Sequence, residues 1–495
     1  ATAQASKRSK EVGIRKVMGS SQSQLMLLFL GETFLLTLAA ALFSVVLAEL
    51  ALPFLNQLLD LQLTFSFFEE PSLLLFFVLQ LLVVTLFAGL YPAFILSGFK
   101  PIEALKSKLA LQQVAGLSLR KGLVLLQFII CQLLIICTLL VNKQMKFMQE
   151  KDLGFDKDAV LLVPLLKTPA EKMVAYRQEI LNTPGVQQAG FMFSPPSSDF
   201  SYTTNFTYDN RPSDAGFHVG MKLADEHYLD LFDIKLVAGK NFTHQAKKDT
   251  IYEVVINETL RRQLGLKNPE EALGKKMRLG SNTYGRVVGV AKDFHQNSLR
   301  EKIGPIAIMN VGDASSNILF LATKINLAQT QDVIKGLEQV WQKAYPDYIF
   351  EYHFMDEVID EFYQSEQRRN TLFQIFSGIS IFIACLGLYG LVAFMAAQRT
   401  KEVGIRKVLG ASVWDIVYLF SKEFMLLVGI AFLVASPLAF YLMQKWLQDF
   451  VYRISIGYDA FLIAGLITVS IALLTIAFQA VKAALRNPVY SLKTE

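Results

Sequence analysis

Six apolar runs, near Leu25–Ala48, Leu73–Leu96, Leu123–Val141, Leu372–Ala396, Ile416–Tyr441 and Phe461–Val481, constrain this chain more than any other feature. Each is long enough to cross about 30 Å of hydrocarbon, which takes roughly 20 residues of helix. With 53% hydrophobic residues and 38 Phe, clustered in these runs, the chain is too apolar for an ordinary soluble protein. Between the third and fourth runs lies a polar region long enough to fold as a domain of its own. The fold expected is an α-helical transmembrane bundle of six spans plus an α+β extracytoplasmic domain on a helical stalk.

The chain also repeats itself. Lys10-Glu11-Val12-Gly13-Ile14-Arg15-Lys16-Val17 returns as Lys401-Glu402-Val403-Gly404-Ile405-Arg406-Lys407-Val408, and Met18-Gly19-Ser20-Ser21 is matched by Leu409-Gly410-Ala411-Ser412. Ten of these twelve positions are identical. Such identity marks an internal duplication. Both copies are short, basic and followed at once by an apolar run. Glu32 lies two turns into the first run and Glu423 occupies the same place in the fifth. By analogy with the second copy, roughly 270 residues are expected ahead of Ala1.

Loops rich in Lys and Arg alternate with loops poor in them. Residues 1–24 carry Lys7, Arg8, Lys10, Arg15 and Lys16, whereas the loop from Glu49 to Ser72 has four carboxylates and no Lys or Arg. The next loop, Ser97–Gly122, is basic again. The positive-inside rule then puts both ends of the chain in the cytoplasm and the polar domain outside it. A net charge of +5 reflects these flanking loops and gives no reason to expect nucleic acid as a partner.

Topology needs only charge, not the same Glu, Gly and Ile in the same order. Each segment reads as a short amphipathic element on the cytoplasmic surface, ended by Gly19 or Gly410 in a left-handed conformation. Ser21 and Ser412 can then open the next helix. Docking of a soluble partner explains the repetition better than anchoring alone. Glu32 and Glu423 are intramembrane acids, costly in hydrocarbon; pairing with the basic segments accounts for them better than a transport role. An ion-coupled carrier would need more buried charge and broken helices at mid-membrane.

The third run continues as helix past Asn142 with no breaker before Gly154, and Asp356–Asn370 leads into the fourth with none before Gly378. Phe354, Val358 and Phe362 share one face at helical spacing. Two stalk helices of opposite charge are expected, Lys143 and Lys146 on one and Asp356, Asp360 and Glu361 on the other. Within the polar domain, Ala159–Val163, Gln187–Phe193, Val254–Ile256, Tyr284–Ala291 and Ile318–Ile325 read as strands. Glu171–Leu181, Asp225–Leu231, Glu258–Leu264 and Thr330–Tyr345 read as helices, with Asn257 and Asn326 as caps. Tyr202–Ser213 reads as a polar, aromatic-rich loop.

No catalytic constellation is evident. The five histidines form no HxxxH or HExxH pair, so no metal site is expected. Cys131, Cys137 and Cys385 fall in the apolar runs and read as packing residues. No G-x-x-x-x-G-K-[ST] loop is present in the sequence, so ATP hydrolysis by this chain is not expected.

Taken together, these residues resemble the FtsX/MacB-like permeases of bacterial ABC transporters, in the double-length form with two FtsX-like units. The basic Glu-Val-Gly-Ile-Arg-Lys-Val-x-Gly-[Ser/Ala]-Ser segments carry the likeness, with the Glu of the following span and the stretch Val288-Gly-Val-Ala-Lys-Asp-Phe-His295, Leu299 and Ile303-Gly-Pro305. The resemblance implies five parts: a coupling segment over 1–24, the end of a first FtsX-like unit over 25–121, and the first span of a second unit over 122–142. A stalk and MacB-like periplasmic core domain over 143–369 and an FtsX-like domain over 370–495 complete it. This sequence opens part-way through the family's pattern, so the first copy's opening span, outer domain and second span are expected ahead of Ala1.

The resemblance further implies a non-catalytic permease in the bacterial inner membrane, partnered by a separate ABC ATP-binding subunit that holds ATP and Mg; no cofactor is expected in this chain. Lys10, Glu11, Gly13, Ile14, Arg15, Lys16 and Gly19, with Lys401, Glu402, Gly404, Ile405, Arg406, Lys407 and Gly410, would sit where that subunit docks. Membrane lipids, and a periplasmic adaptor or outer-membrane channel, are the other partners implied. The rival reading is a non-transporting regulator whose outer domain activates an envelope enzyme such as a cell-wall hydrolase.

Overall fold

The computed structural model describes residues 14–64, 70–98, 116–166, 170–198, 202–209, 216–243, 251–280, 283–312, 318–398 and 400–484. Lys10, Glu11 and Gly13 lie outside them. The chain divides into two compact units, one made of residues 1–141, 368–443 and 456–495, the other of 142–367 and 444–455.

Helices dominate the first unit. They are α1 (Gln22–Leu59), α2 (Pro71–Gly98) and α3 (Gly116–Glu150), then, after the second unit's sheet, α9 (Gln364–Gln398), α10 (Thr400–Val408), α11 (Val413–Leu447) and α12 (Asp459–Ala484). Six of them are long and apolar enough to cross a membrane. With no water in the bilayer core, helix is the state that pairs every backbone group within the segment. The helix α1 runs well past Ala48, through Pro53 to Leu59, where a loop was expected; Asp60 ends it in a left-handed conformation.

Packing in this unit follows small residues and interhelical polar contacts, as expected where lipid removes the hydrophobic drive between helices. On α1 and α2, the Thr37 and Thr85 hydroxyls meet at 2.8 Å, and Gly89 lies against Leu30 and Thr33, where a Cβ would come within 3.0 Å. Helices α3, α9, α11 and α12 share one core around Phe128, Leu388, Val392, Phe420, Phe424 and Ile476, which also takes in Val403 of α10. Between α3 and α9, Gly387 faces Gln127, whose Oε1 would stand 2.1 Å from an added Cβ. The Gln132 amide donates to the Val428 carbonyl at 3.3 Å. Both glutamines are thus packing residues between spans.

The second unit is built on one mixed sheet, flanked by helices. Its strands are β1 (Val160–Pro164), β2 (Val186–Met192), β3 (Tyr202–Thr204), β4 (Phe206–Tyr208), β5 (Val219–Ala224), β6 (Leu236–Gly239), β7 (Ile251–Asn257), β8 (Lys276–Leu279), β9 (Thr283–Ala291), β10 (Ile306–Asn310), β11 (Phe320–Ile325) and β12 (His353–Phe354). They order as β12-β1-β11-β2-β5-β10-β7-β9-β8-β4, with β3 on β5 and β6 on β9. Pairs β5–β10 and β7–β9 are parallel and the rest antiparallel. Strand β10 is buried at every position, as a strand walled on both sides must be. Helices α4 (Ala170–Leu181), α5 (Tyr228–Leu231), α6 (Glu258–Gln263), α7 (Thr330–Ala344) and α8 (Met355–Glu361) complete it. Helix α7 buries Val333, Leu337, Val340 and Trp341, a stripe at helical spacing. Asn257 caps α6 through Leu260 N at 2.9 Å.

Three expectations change. Residues 202–204 and 206–208 are strands, not loop; residues 210–213 lie outside the described set. The stalk segment before the fourth span is broken at Phe362–Tyr363 into α8 and α9. Its buried face runs Met355, Ile359, Tyr363, Glu366, one residue on from the Phe354, Val358, Phe362 face, which is half-buried. A polar Glu at 366 hid this register.

Candidate functional site: twin surface segments and a three-way junction

Two features stand out: the duplicated basic segments in the first unit and, in the second, the loop Asp293–Ile303 that ends β9.

The two segments close in the same way, bond for bond. Gly19 N donates to Lys16 O at 3.0 Å and Ser20 N to Arg15 O at 3.0 Å; Gly410 N donates to Lys407 O at 3.1 Å and Ala411 N to Arg406 O at 2.9 Å. With φ of +95° at Gly19 and +91° at Gly410, these are paired Schellman closures. Capping boxes open the next helices: Ser21 with Gln24, and Ser412 with Asp415, whose Oδ2 takes Ser412 N at 2.8 Å. Such a closure fixes the angle between the segment and the span that follows.

What each segment presents is also duplicated. Ile14, Val17 and Met18 are 49%, 64% and 79% exposed; Ile405, Val408 and Leu409, at the equivalent positions, are 52%, 67% and 80% exposed. Val403 faces the other way, into the span core. Arg406 pairs with Glu402 on its own helix at 2.8 Å. Lys401 lies within α10, and Gly404 and Lys407 lie along it; Arg15 and Lys16 are half-buried. Glu423 meets Lys121 at 3.1 Å, so its cation comes from the head of α3. Glu32, in the first copy, is exposed.

The Asp293–Ile303 loop ties three elements of the second unit together. Asp293 anchors its base, accepting from Thr259 N at 2.8 Å, Thr259 Oγ1 at 2.9 Å and Arg262 Nη2 at 2.5 Å. Phe294 is fully buried, edge-on to Phe155 at 6.5 Å. The chain leaving α3 passes so close that a Cβ on Gly154, whose φ is +82°, would lie 2.6 Å from Asp293 O. Only glycine tolerates that backbone beside that neighbour. His295 N donates to Leu153 O at 2.8 Å.

Further along, Leu299 N donates to the Tyr363 hydroxyl at 2.9 Å, and Arg300 pairs with Glu366, which is 4% exposed. Residues 444–455, between α11 and α12, complete the junction. Val451 N and Tyr452 N donate to Arg300 O and Leu299 O at 3.3 and 3.4 Å. The Arg300 guanidinium lies 4.8 Å over Phe450, and Tyr452 stands edge-on to His295 at 4.8 Å with the Lys151 ammonium 5.1 Å above it. Gln144 of α3 grips the same segment twice, donating to Tyr452 O at 3.0 Å and accepting from Ile454 N at 2.9 Å. Each contact contributes on the order of 1 kcal/mol, but they are shared by three elements that lead to different spans.

The stalk residues singled out from sequence lie beside this junction rather than in it. Lys143 and Lys146 are on α3, and Lys146 pairs with Glu150. Asp356, Asp360 and Glu361 are exposed on α8. Arg300, Tyr363, Glu366 and Tyr452, which do make the junction, were missed. Glu366 is in register with Met355 and Ile359, but it follows Asp356, Glu357, Asp360 and Glu361 and reads as one more acid of a solvated face.

Known proteins match along these same divisions. A model of the FtsX-like permease C-terminal family matches residues 1–101 and 374–488, and one of the MacB-like periplasmic core domain matches residues 151–337. The permease YvrN of Bacillus subtilis (strain 168) is 25% identical over 296 residues, covering 55% of this chain and 69% of YvrN. The macrolide export ATP-binding/permease protein MacB of Escherichia coli is 24% identical over 270 residues, 53% of this chain and 41% of MacB, so the match spans about two fifths of that relative. The periplasmic region of MacB from Actinobacillus actinomycetemcomitans aligns with a TM-score of 0.30 and 14% identity, over 43% of this chain and 96% of that one. The permease match falls twice, once on each copy of the basic segment with its spans, and the core-domain match falls on the sheet between them. FtsX-like permease segments on either side, in sequence, of a MacB-like periplasmic core domain are what these matches describe: the chain belongs to the FtsX/MacB-like ABC transporter permease family.

Proposed function

We propose that this chain is the permease subunit of a bacterial ABC transporter, coupling ATP hydrolysis by a separate ATP-binding subunit to movement of its extracytoplasmic domain, for export or extraction of a substrate. The observation that carries the reading is the twin exposed triad, Ile14, Val17, Met18 and Ile405, Val408, Leu409, each held by the same helix closure. Two equal apolar knobs on short helices match what a dimer of ATP-binding subunits could receive, one per subunit. Apolar side chains at such exposure gain by burial against a partner.

ATP and Mg would belong to the partner, since a P-loop is absent from this sequence. Helices α3, α9 and α11 each contribute residues to both compact units, which gives movement of the bundle three routes outward. Two of them end on the Asp293–Ile303 loop or the residues it holds, and α3 continues through Gly154 to its base. The twin segments would lie in the cytoplasm of an inner-membrane protein and the sheet domain in the periplasm. A periplasmic adaptor or outer-membrane channel would receive what is exported.

The test is co-purification with the ATP-binding subunit. Ile405→Glu together with Val408→Glu should reduce the ATPase recovered by at least tenfold while the chain stays in the membrane, and the same pair of changes at Ile14 and Val17 should add to the loss. Undiminished recovery with both segments altered would contradict the docking role.

A further inference from the structure

A cavity of about 170 Å³ opens beside the junction loop, lined by residues that include Thr203, His218, His295, Ser298, Glu301 and Lys302. Part of its room comes from Gly220 on β5, where a Cβ would stand 2.8 Å from Gln296 Oε1. Its volume is small. Benzene fills an engineered cavity of about 150 Å³, so the occupant is a molecule of roughly six to eight heavy atoms.

One lining side chain calls for a partner. His295 is 5% exposed, yet among the described residues neither imidazole nitrogen has a hydrogen-bond partner; its ring stands edge-on to Tyr452. Burial, and then the Lys151 ammonium, push its pKa down to about 4, so the ring is neutral and offers one donor and one acceptor. At the rim, Glu301 and Lys302 stand next to each other in sequence and are exposed. Glu301 accepts from Asn297 Nδ2 at 2.9 Å, whereas Lys302 has no partner among the described residues. A plain anion would face the Glu301 carboxylate and a plain cation the Lys302 ammonium. A molecule with both charges answers both.

We infer that this cavity is an effector site for a small zwitterion of free-amino-acid size, its carboxylate towards Lys302, its ammonium towards Glu301 and its polar body on His295. The lining residues Ser298 and Glu301 flank Leu299 and Arg300, which hold Tyr363, Glu366 and residues 450–452. An occupant therefore stiffens the loop on which the stalk and the α11–α12 segment converge. The inference does not depend on the chain's partner in the cytoplasm, so its failure would leave the permease reading standing.

Calorimetric titration of the detergent-solubilised full chain with L-serine, serinamide and N-acetylserine tests it. L-serine should bind saturably, and each derivative, lacking one charge, at least tenfold more weakly. Lys302→Ala, at an exposed position, should weaken L-serine to the same extent, as should His295→Leu. Hydrogen exchange at the Leu299 and Arg300 amides should slow with L-serine present. Absence of saturable heat up to tens of millimolar, equal affinity for serinamide and N-acetylserine, or binding indifferent to Lys302→Ala would each overturn the assignment. Preference for an uncharged sugar such as glucose would overturn it too.

Discussion

Alanine in place of Asp225 is expected to cost the sheet domain about 3–5 kcal/mol, the usual result of stripping one partner from a buried ion pair. The Asp225 carboxylate is fully buried. Its Oδ2 accepts from Arg177 Nη2 at 2.5 Å and Phe191 N at 2.7 Å, and its Oδ1 from His227 N at 3.0 Å. One side chain thus joins α4, β2 and the turn that follows β5. Removing it leaves a guanidinium that is 90% buried, stacked 4.8 Å over Phe191 and 3.7 Å from Glu226, without its short contact to a fully buried carboxylate. In the solubilised full chain, exchange of β2 and β5 amides should accelerate at least about a hundredfold, since each 1.4 kcal/mol is tenfold. A loss below 1 kcal/mol would mean that the pair is incidental. Replacing both partners with apolar residues, Arg177→Met with Asp225→Leu, should recover much of the loss, because the cost lies in the orphaned charge.

The second large effect is a pH dependence. Lys222 on β5 is buried, donating to Pro195 O at 2.8 Å and Ser194 Oγ at 3.2 Å, and burial lowers its pKa from the ordinary 10.5 to about 7. A lowered lysine pKa means that, between those two values, the unfolded chain holds a proton that the folded one has released. Stability therefore rises as pH climbs from about 7 towards 10.5, by up to about 1.4 kcal/mol per pH unit, and is lowest where the buried ammonium is charged. Lys222→Met should remove that slope and stabilise the domain most below pH 7. Urea unfolding of both proteins at pH 6, 7.5 and 9 measures the difference; parallel pH curves would show that Lys222 carries no such burden.

How much of this could be read beforehand depended on how local its cause was. The six spans were legible because hydrocarbon leaves a chain few alternatives. The closures at Gly19 and Gly410 were legible too, since each is decided within six residues. Strands β3 and β4 were not, because Tyr202-Thr-Thr and Phe206-Thr-Tyr sit among Asn, Asp, Ser and Pro and become strands only by pairing with β5 and β8. Strand β10 was passed over for a related reason: the four apolar residues after Pro305 carry no period of their own. At the junction, Asp293-Phe294-His295 attracted notice, but its partners Gly154, Tyr363, Glu366 and Tyr452 are scattered over some 300 residues of sequence. No spacing rule connects positions that meet only in the folded protein. Glu423 illustrates the same limit, since its cation is Lys121, some 300 positions earlier.

Sidedness of the membrane decides between this account and any other. Val408, in the second basic segment, and Tyr348, in the sheet domain, are 67% and 57% exposed, so a cysteine at either should react freely. With Cys131, Cys137 and Cys385 replaced by alanine, a membrane-impermeant maleimide applied to intact spheroplasts should modify Tyr348→Cys at once and Val408→Cys only after the membrane is opened. Labelling of both from the outside would contradict the proposal that force enters at the duplicated segments and leaves through the sheet domain.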